Sequence, residues 1–300
     1  MRIGILASGA GWHAADLLRA AEKLDLAALR VEPTRLAGAV GGKQCAPECD
    51  RLIVRTMPRG TLEQVIFRMD VLQRLEADGL PVINSPRALE AAIDKYLASA
   101  RLEAAGLPVP ETFVAEDPAR ALEAFERLGG DVVLKPLFGS EGRGIERLTA
   151  LGEARERFES AAAAGSVLYL QRFIRHPGHD YRVLVIGGRA VCGMRRTAAT
   201  GWITNVARGG RPEPLEVSRP LEELAVRAAQ SLGAEIAGVD ILPDAAGDLW
   251  VLEVNAVPGW RALAPTSGVD VAREVIRYAA QKEAACKVCS REENPSVSAG

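Results

Sequence analysis

Oxygen-bearing side chains lie on one face of two short apolar segments near the end of the sequence. Side chains alternate along a strand, so Glu253 and Asn255 in segment 252–255 point the same way. Upstream, segment 238–242 adds the carboxylate of Asp240, and the Gly and Asp residues between the segments predict a hairpin turn. Two carboxylates and an amide oxygen suit Mg²⁺, which is usually shared with substrate phosphates. We predict a metal site of Asp240, Glu253 and Asn255; the alternative is a polar edge strand with solvated Glu and Asn.

A glycine-rich turn follows a basic residue at the end of another apolar strand. Lys135 ends segment 132–135, and Gly139, Gly142 and Gly144 come after it. Glycines let backbone amides approach an anion closely, and a lysine supplies a point charge to phosphate oxygens. In a P-loop the lysine instead follows the glycines and a helix begins there. A phosphate-binding loop and a plain hairpin therefore both fit this segment.

Several arginines fall on strands in the C-terminal half of the sequence. Arg182 lies in the body of an apolar strand, Arg195 and Arg196 lie on the next strand, and Arg208 follows in a polar segment. A buried arginine requires an anionic partner. Together with Lys135 these arginines look like a polyphosphate cage beside the metal site. A structural salt bridge is the alternative for each arginine taken alone.

Strand and helix patterns alternate through the first 85 residues in the order β-α-β-β-α-β. This order favours a small parallel-sheet domain that ends near Ser85. Within it, Thr61 is a candidate N-cap, with Gln64 three residues later, at the start of an apolar helical stripe. The turn after the first strand contains Gly9 and Gly11 but has no third glycine at the proper place, so a dinucleotide-binding turn is not predicted.

A second pattern begins at Pro86. The periodicity predicts one long helix over 88–105, which contains Asp94 and Lys95 and is stopped by Gly106. Strands and helices then alternate to the end of the folded region, and they carry the glycine-rich turn and the acidic site described above. The pattern therefore favours mixed α/β and α+β architecture.

Composition excludes several classes of protein. With 37 basic and 39 acidic residues the net charge is -2, which gives no electrostatic argument for a nucleic-acid partner. At 300 residues, 48% of them hydrophobic, the chain is long enough for one large domain or two to three small ones, by an estimate of about 100–200 residues per domain. The first apolar run is too short for a signal peptide or a membrane span, so a cytoplasmic protein without a membrane partner is expected.

The five cysteines do not form the pattern of a disulfide scaffold. Cys45 and Cys49, with Cys286 and Cys289, have spacings that allow a four-thiolate zinc site if the two segments meet. The favoured interpretation is that these thiols are reduced and unliganded. The second pair lies in segment 286–300, which is expected to be a flexible tail.

Motifs of one known family occur in order along the chain. They are Asp94-Lys95, Val133-Leu134-Lys135-Pro136 with the loop Gly139 to Gly144, Gln171-x-Phe173-Ile174, Asp180-x-Arg182, Asn205-x-x-Arg208-Gly209-Gly210, Gly238-Val239-Asp240 and Glu253-Val254-Asn255. This series resembles the ATP-grasp ligases. Within them it is most similar to the branch that contains the ribosomal-protein glutamate ligase RimK, the lysine-biosynthesis ligase LysX and the tetrahydromethanopterin glutamate ligase MptN.

The resemblance implies an ATP-grasp fold in which two α+β lobes clamp the nucleotide. The expected units are an N-terminal pre-ATP-grasp domain with a small parallel sheet over 1–85, a central lobe with the glycine-rich loop over 86–175, and a C-terminal lobe with the metal site over 176–285. The remaining segment, 286–300, is the expected tail. Residues 1–85 match the family only in kind.

The resemblance also assigns roles to particular residues. Lys95 and Lys135 would contact the ATP phosphates, and the hinge 171–174 would hold adenine through its backbone. Asp180 would contact the nucleotide, and Asn205 lies in a nucleotide-binding stretch. The implied nucleotide-binding residues are Lys95, Lys135, Gly139, Ser140, Gly142, Gly144, Gln171, Arg172, Phe173, Ile174, Asp180 and Asn205. The implied metal ligands are Asp240, Glu253 and Asn255, and the implied catalytic residues are Arg182, Arg195 and Arg208. Relatives often carry Glu in place of Arg172.

The implied activity is ATP-dependent amide formation between a carboxylate and an amine. The carboxylate attacks the γ-phosphate of ATP to give an acylphosphate and ADP, and the amine then displaces phosphate. The implied cofactors are ATP and Mg²⁺, or Mn²⁺ in its place, with two ions per site. The implied amine is L-glutamate, and a homodimer or homotetramer is the implied assembly.

The identity of the acceptor carboxylate stays open at the level of sequence. A small-molecule or cofactor acceptor of the tetrahydromethanopterin type is favoured, because the chain lacks the basic excess that would suit a ribosomal target. The C-terminus of a protein or of an amino-carrier protein, as in RimK or LysX, is the alternative. Two further alternatives are a ligase acting on D-alanine or another amino acid and a non-catalytic ATP-binding regulatory module.

Overall fold

A computed structural model describes residues 1–42, 45–139 and 142–281, which contain three β-sheets with helices packed on them. The strands are β1 Arg2–Leu6, β2 Ala27–Val31, β3 Arg51–Val54, β4 Val82–Ile83, β5 Thr112–Ala115, β6 Val132–Lys135, β7 Glu146–Leu148, β8 Leu168–Arg172, β9 His179–Ile186, β10 Arg189–Thr197, β11 Arg211–Leu215, β12 Ile236–Pro243 and β13 Leu249–Asn255. The helices are α1 Trp12–Glu22, α2 Leu62–Ala77, α3 Pro86–Ile93, α4 Lys95–Ala104, α5 Pro118–Arg127, α6 Leu151–Ala163, α7 Arg219–Ser231, α8 Leu263–Ser267 and α9 Val271–Gln281. Single-turn 3-10 helices span Pro33–Arg35 and Val206–Arg208.

The first sheet is parallel, with the strand order β2-β1-β3-β4, as the sequence predicts. The predicted capping box of α2 is confirmed, because Thr61 Oγ1 accepts from the Gln64 N–H (3.3 Å) and Gln64 Oε1 accepts from the Thr61 N–H (3.2 Å). The carboxyl ends of β1 and β3 meet at the same edge of this sheet, where open α/β sheets commonly bind ligands.

The second sheet is antiparallel, with the strand order β5-β8-β6-β7, and it carries α5 and α6. Its core consists of residues from within this unit, including Phe125, Val132, Phe158 and Leu170, all of them buried. Because this core contains only residues of the unit, the unit is a separately packed layer. Lys135 ends its strand β6, and the glycine-rich loop connects β6 to β7.

The third sheet is also antiparallel, with the order β11-β10-β9-β12-β13. One face contributes Val183, Val239 and Val254 to a core shared with α7. The opposite face contributes Leu184 and Met194 to a second core. Side chains alternate along each strand, so Asp180, Arg182 and Asp240 lie on the same face as Leu184 and Met194.

The second core also joins the third sheet to the first. It contains side chains of β1 and α1, such as Ile5 and Leu17, together with Leu184 of β9 and Ile276 of α9. Burial of this continuous apolar surface holds the N-terminal sheet firmly on the C-terminal one. None of the helices in the described part of the chain is long and apolar enough to cross a membrane.

The single helix predicted over 88–105 is wrong. Two helices, α3 and α4, meet at Asp94, whose backbone is extended (φ -89°, ψ 105°) and whose carboxylate accepts from the N–H groups of Tyr96 (2.8 Å) and Leu97 (3.1 Å). An aspartate competes for backbone N–H groups in this way and therefore favours a helix start over a helix interior. The break places Lys95 at the first turn of α4.

Helices α3 and α4 were predicted to belong to the central lobe, but they pack on the third sheet. Ala91 of α3 and Leu102 of α4 lie in the core formed with Val183 and Val239 of the third sheet. The second sheet begins only at Thr112. The predicted boundaries 1–85, 86–175 and 176–285 each enclose one sheet, but residues 86–104 pack on the sheet of the last segment.

Candidate active site

A row of polar side chains crosses three neighbouring strands of the third sheet. In the ladder, Arg182 of β9 lies opposite Asp240 of β12, and Asp240 lies opposite Glu253 of β13. Directly paired residues of antiparallel strands project to the same side of the sheet, so the three side chains form one row. Asn255 projects to the same side two residues after Glu253. The predicted convergence of Asp240, Glu253 and Asn255 on one face is therefore present in the strand register.

The Asp240 carboxylate is bonded to two arginines. Arg182 Nε donates to Oδ1 and Arg182 Nη2 donates to Oδ2 (2.8 Å), while Arg196 Nη2 lies 3.0 Å from Oδ2. Burial alone raises the pKa of Asp240, but the two guanidiniums outweigh burial and hold this pKa below its usual value. Asp240 is thus a carboxylate that stays ionised in a buried place.

Arg196 joins this group through a second carboxylate. Its Nε and Nη2 donate to the two oxygens of Asp180 at 2.7 and 2.5 Å, and Arg196 and Asp180 are each 3% exposed. Burial lowers the pKa of Arg196, but Asp240 and Asp180 more than offset it and the pKa is raised. Asp180, predicted to contact the nucleotide, is bonded to Arg196, so the two acids and Arg182 and Arg196 form one buried network, called here the arginine–aspartate network.

The sequence placed both Arg195 and Arg196 in the arginine cage, but the family resemblance gave a catalytic role to Arg195 and none to Arg196. The register of β9 and β10 pairs Arg196 with Asp180, whereas Arg195 pairs with Tyr181 and projects to the other face. There Arg195 Nη2 lies 3.2 Å from His179 Nδ1, and its Nε lies 3.6 Å from the Glu213 carboxylate. Sequence alternation offered a usable signal, because Asp180 and Arg182 share a face, but the register was needed to choose between adjacent arginines.

Gly238 makes room for the arginine side chain. A Cβ at this position would lie 3.0 Å from Arg182 Nη1 and 3.0 Å from Pro258 Cβ, closer than side chains normally pack. The glycine at the start of the Gly238-Val239-Asp240 motif therefore lets the guanidinium lie against the strand backbone while it reaches Asp240.

The donor set of the predicted metal site fits a hard cation. Asp240 and Glu253 are cross-strand neighbours, and Asn255 Oδ1 accepts from the Val257 N–H (2.9 Å), which orients its amide. Each carboxylate and amide oxygen has a lone pair beyond those that these bonds use. Within 1–42, 45–139 and 142–281 there is no cluster of three or more His, Cys, Asp or Glu side chains that could hold a metal by themselves. The amide oxygen of Asn255 is therefore needed to complete this set.

Two lysines from other elements face the acidic row. Lys135 Nζ, at the end of β6, donates to Gln171 Oε1 (2.5 Å), and Lys95 Nζ, at the start of α4, donates to the carbonyl oxygens of Gly139 (3.0 Å) and Leu137 (3.4 Å). Burial lowers the pKa of Lys135 to about 8 against the opposing charge of Glu253, and burial also lowers the pKa of Lys95. Both lysines are therefore cations held near Glu253 by neutral acceptors.

The predicted adenine hinge is tied to the second sheet by its backbone. The Arg172 N–H donates to the Glu111 carbonyl (2.8 Å) and the Phe173 N–H donates to the Asp131 carbonyl (2.9 Å). These two N–H groups of the predicted adenine hinge are bonded within the protein, and Ile174 follows the strand end. The Gln171 side chain is 3% exposed and is directed to Lys135, not to solvent.

The glycine-rich loop lies against the segment that carries Asn205 and Arg208. Gly142 and Gly144 have positive φ angles of 69° and 70°, which non-glycine residues rarely adopt. A Cβ on Gly142 would lie 2.7 Å from Asn205 Oδ1 and 3.6 Å from Arg208 Cγ. In the part of the chain that is described, the Arg208 side chain makes no hydrogen bond or ion pair. Ser140, a predicted phosphate-loop residue, lies outside the described residues.

Among the residues that the structure describes, no cluster that could hold a metal includes a cysteine. Cys45 is exposed and Cys49 is half-buried, and Cys286 and Cys289 lie outside the described residues. Burial raises the pKa of the Cys49 thiol, so it is held in its neutral form. The zinc arrangement considered from sequence therefore stays an untested alternative.

Comparison with known proteins identifies the family. The model of the RimK-like ATP-grasp domain matches residues 92–279, more than half of the chain. This chain belongs to the RimK-like ATP-grasp family. The enzymes of this family are ATP-dependent ligases that form C–N bonds.

Individual relatives show which members of the family this chain is similar to. The tetrahydromethanopterin:alpha-L-glutamate ligase of Methanosarcina acetivorans is 35% identical over 289 residues, which cover 87% of this chain and 88% of the relative. The alpha-aminoadipate–LysW ligase LysX of Saccharolobus solfataricus is 31% identical over 211 residues, which cover 69% of this chain and 77% of the relative. A solved structure of the ATP-grasp ligase PsnB with minimal precursor, Mg and ADP has a TM-score of 0.73 at 24% identity, covering 92% of this chain and 95% of that one. This RimK-like chain therefore has the ATP-grasp fold that its motifs predicted.

Proposed function

We propose that this RimK-like ligase joins the amino group of L-glutamate to a carboxylate of a small molecule or cofactor, of the tetrahydromethanopterin type. The observation that carries the proposal is the pair Lys95 and Lys135: no carboxylate of a described residue is bonded to either lysine, and the charge of Glu253 acts on both. Cations held in this way suit the phosphates of ATP. The 35% identity to a tetrahydromethanopterin:alpha-L-glutamate ligase supports the choice of substrates.

The metal of this site is Mg²⁺ in our proposal, with two ions per site and Mn²⁺ as a possible substitute. Asp240, Glu253 and Asn255 would hold it. The chemistry that bound Mg²⁺ supplies is neutralisation and polarisation of the phosphoryl group in transit. Chelation by EDTA is therefore expected to stop ligation, and added Mg²⁺ is expected to restore it.

The basic residues of the protein would position the ATP phosphates and offset their negative charge. Lys135 and Lys95 would bind the ATP phosphates from the lobe side of the cleft, and Lys95 would also hold the glycine-rich loop through its bonds to the Gly139 and Leu137 carbonyls. Arg208, next to Gly142, is placed to meet phosphate oxygens when the loop covers them. Fixed charges of this kind stabilise the transferred phosphoryl group without reorganising during the reaction. Arg182 would act through Asp240, which it holds in place.

The deciding experiment measures ADP release by the purified protein with Mg²⁺ATP, L-glutamate and one acceptor at a time. The acceptors are a tetrahydropterin cofactor with a carboxylate side chain, a peptide with a protein-like C-terminus, and an amino-carrier protein. Mass spectrometry then asks whether the acceptor gains the mass of one or more glutamyl residues. Reactions without L-glutamate, and with L-glutamine in its place, are the controls.

The outcomes separate the substrate classes. A glutamyl product on the pterin cofactor alone would support the proposal. A product on the carrier protein alone would contradict the small-molecule acceptor and favour a LysX-like reaction, which the 31% identity to that ligase makes the second candidate. ADP release with L-alanine or D-alanine but not with L-glutamate would contradict the amine.

Assembly and location belong to the same proposal. We expect a homodimer or homotetramer in the cytoplasm, as the resemblance implies. Light scattering of the purified protein measures the mass of the assembly, and a monomeric mass would contradict this part.

A further inference from the structure

One arginine outside the cleft is buried without an anion. Arg55, which follows β3 at the carboxyl edge of the first sheet, is 7% exposed. Its Nε is buried and has no hydrogen-bond partner, and among the described residues Arg55 makes no ion pair. Burial alone lowers the pKa of Arg55 to about 10, and no acidic side chain acts against it. An unpaired buried cation is costly to a fold, so its presence requires an explanation.

The neighbours of Arg55 do not neutralise it. Its guanidinium carbon lies 4.7 Å from the centre of the Trp260 ring, a cation–π contact. His13 also touches this ring, and burial together with the charge of Arg55 lowers the pKa of His13 to about 4, so that the imidazole is neutral. The adjacent cavity, of about 10 Å³, is large enough for one water molecule at most. A water can satisfy the Nε–H group, but it cannot offset the charge.

Unpaired donors lie at the same sheet edge. The buried Ser8 Oγ has no hydrogen-bond partner, and the Ser8 N–H donates to Thr56 Oγ1 (2.7 Å) beside Arg55. Helix α1 begins at Trp12, four residues after Ser8. Its N-cap Gly11 supplies no side-chain hydrogen bond, and its first turn contains no acidic residue. In the residues described, the N–H groups of Trp12 and His13 have no acceptor. The turn already takes one carboxylate, since the Gly9 N–H donates to Glu32 Oε2 (3.3 Å).

This sheet edge is connected to the ligase cleft. Trp260, under Arg55, lies five residues after Asn255, the last predicted metal ligand. Segment 256–260 is fixed to the first sheet at both ends, because Asn84 Nδ2 donates to the Ala256 carbonyl (2.5 Å) and the Trp260 N–H donates to His13 Nε2 (3.1 Å). A molecule held at Arg55 therefore lies at the end of the loop that begins at the metal ligands.

We propose that Arg55, Ser8 and the first turn of α1 form a carboxylate-binding subsite that holds a ligase substrate through a carboxylate that does not react. A guanidinium and a helix N-terminus are both suited to carboxylates, and every substrate of a glutamate ligase except ATP carries one. The substrate class rests on the proposed function. The carboxylate belongs either to L-glutamate or to the acceptor, and the experiment below distinguishes the two.

The first test needs no turnover. The melting temperature of the wild type and of Arg55→Gln is measured with and without L-glutamate, and with and without glutarate as a simple stand-in for the acceptor. We expect a carboxylate to raise the melting temperature of the wild type and to leave that of Arg55→Gln unchanged. Without ligand, Arg55→Gln is expected to melt at the same temperature as the wild type or higher, because an unpaired buried charge is removed.

A matched control is Arg68→Gln. Arg68 is likewise 7% exposed and in the same unit, but its Nη1 donates to the Pro58 carbonyl (2.9 Å). This variant is expected to melt at a lower temperature while it keeps the shift caused by the carboxylate. If Arg55→Gln behaves like Arg68→Gln, then Arg55 is structural and the subsite is overturned.

Kinetics identify the substrate that is held. Loss of a charged hydrogen-bond pair weakens binding about 10-fold or more, so Arg55→Gln is expected to raise KM by that factor for one substrate and to leave the KM for ATP unchanged. An increase for L-glutamate assigns the subsite to the amine, and an increase for the acceptor assigns it there. Should Arg55→Gln fail to fold, Arg55→Lys is measured in its place, with a smaller increase expected.

The experiments distinguish a failure of the subsite from a failure of the proposed function. If no carboxylate shifts the wild-type melting temperature, or if every shift survives in the Arg55 variants, the subsite is overturned whether or not the protein ligates glutamate. If carboxylates shift the wild type through Arg55 but no glutamyl product forms with any acceptor, the subsite stands and the proposed function fails.

Discussion

The cations of the candidate site, taken together with Arg55, are of two kinds. Arg182 and Arg196 are bonded to Asp240 and Asp180 within the third sheet. Within 1–42, 45–139 and 142–281, the side chains of Lys95, Lys135 and Arg55 bond or stack with neutral groups: carbonyl oxygens, an amide oxygen and an aromatic ring. The first kind is complete without a ligand and fixes the positions of the acids. The second kind has no anionic partner among the described residues. We therefore expect these three residues to bind anionic groups of substrates. The predictions below test this division.

The largest effect on stability is expected from Arg196→Met. The change leaves Asp180 without its partner and removes one partner of Asp240, both of them buried. Breaking a buried ion pair typically costs about 3–5 kcal/mol of unfolding free energy. Urea unfolding measures this loss. The control is Arg219→Met, which breaks a surface pair with Glu223 and should cost at most about 1 kcal/mol. Equal costs for the two variants would contradict a structural role for the arginine–aspartate network.

Lys135→Ala is expected to lower the rate of ADP release and to leave the stability of the fold unchanged. Removing a fixed charge that acts on the transferred phosphoryl group typically lowers the rate by about 10²-fold or more. The protein should unfold at the same denaturant concentration as the wild type, since Lys135 forms no ion pair with any described residue. Steady-state ADP release and urea unfolding measure the two quantities. Lys23→Ala, at an exposed lysine after α1, is the control, and a Lys135 variant with near-wild-type turnover would remove Lys135 from the site.

The smallest effect is expected from Asp94→Ala. It removes the cap of α4 and should cost about 1 kcal/mol of stability. Because the cap also fixes Lys95, the KM for ATP should rise by a few-fold. The control is Thr61→Ala, which removes the comparable cap of α2 far from the cleft. If both variants lose the same stability and neither changes the KM for ATP, then Lys95 is not positioned by Asp94.

Local signals were sufficient for many elements. The Thr61 and Gln64 pair begins α2 as predicted, because a capping box depends only on residues three apart. The strand with alternating Glu253 and Asn255 is also as predicted. The break at Asp94 was missed, since the apolar periodicity runs through it and only the capping of α4 by its carboxylate decides in favour of two helices.

Interactions between distant segments were not predictable in this way. The choice between Arg195 and Arg196 depends on how β10 is aligned with β9, and a shift of one residue would exchange their faces. The packing of α3 and α4 on the third sheet likewise follows from contacts with Val183 and Val239, about eighty residues or more away along the chain. The burial of Arg55 against Trp260 joins residues on two different sheets.

The sequence by itself determined the order of elements, the glycine-rich loop, the row of oxygen ligands and the membership of the family. These depend on spacing, turn chemistry and alternation, which act between near neighbours along the chain. Only the tertiary structure decided which cations are paired with acidic side chains of the described residues and which are not. That decision depends on strand register and on burial, which bring together charges from distant segments and remove them from water, where pairing would matter little.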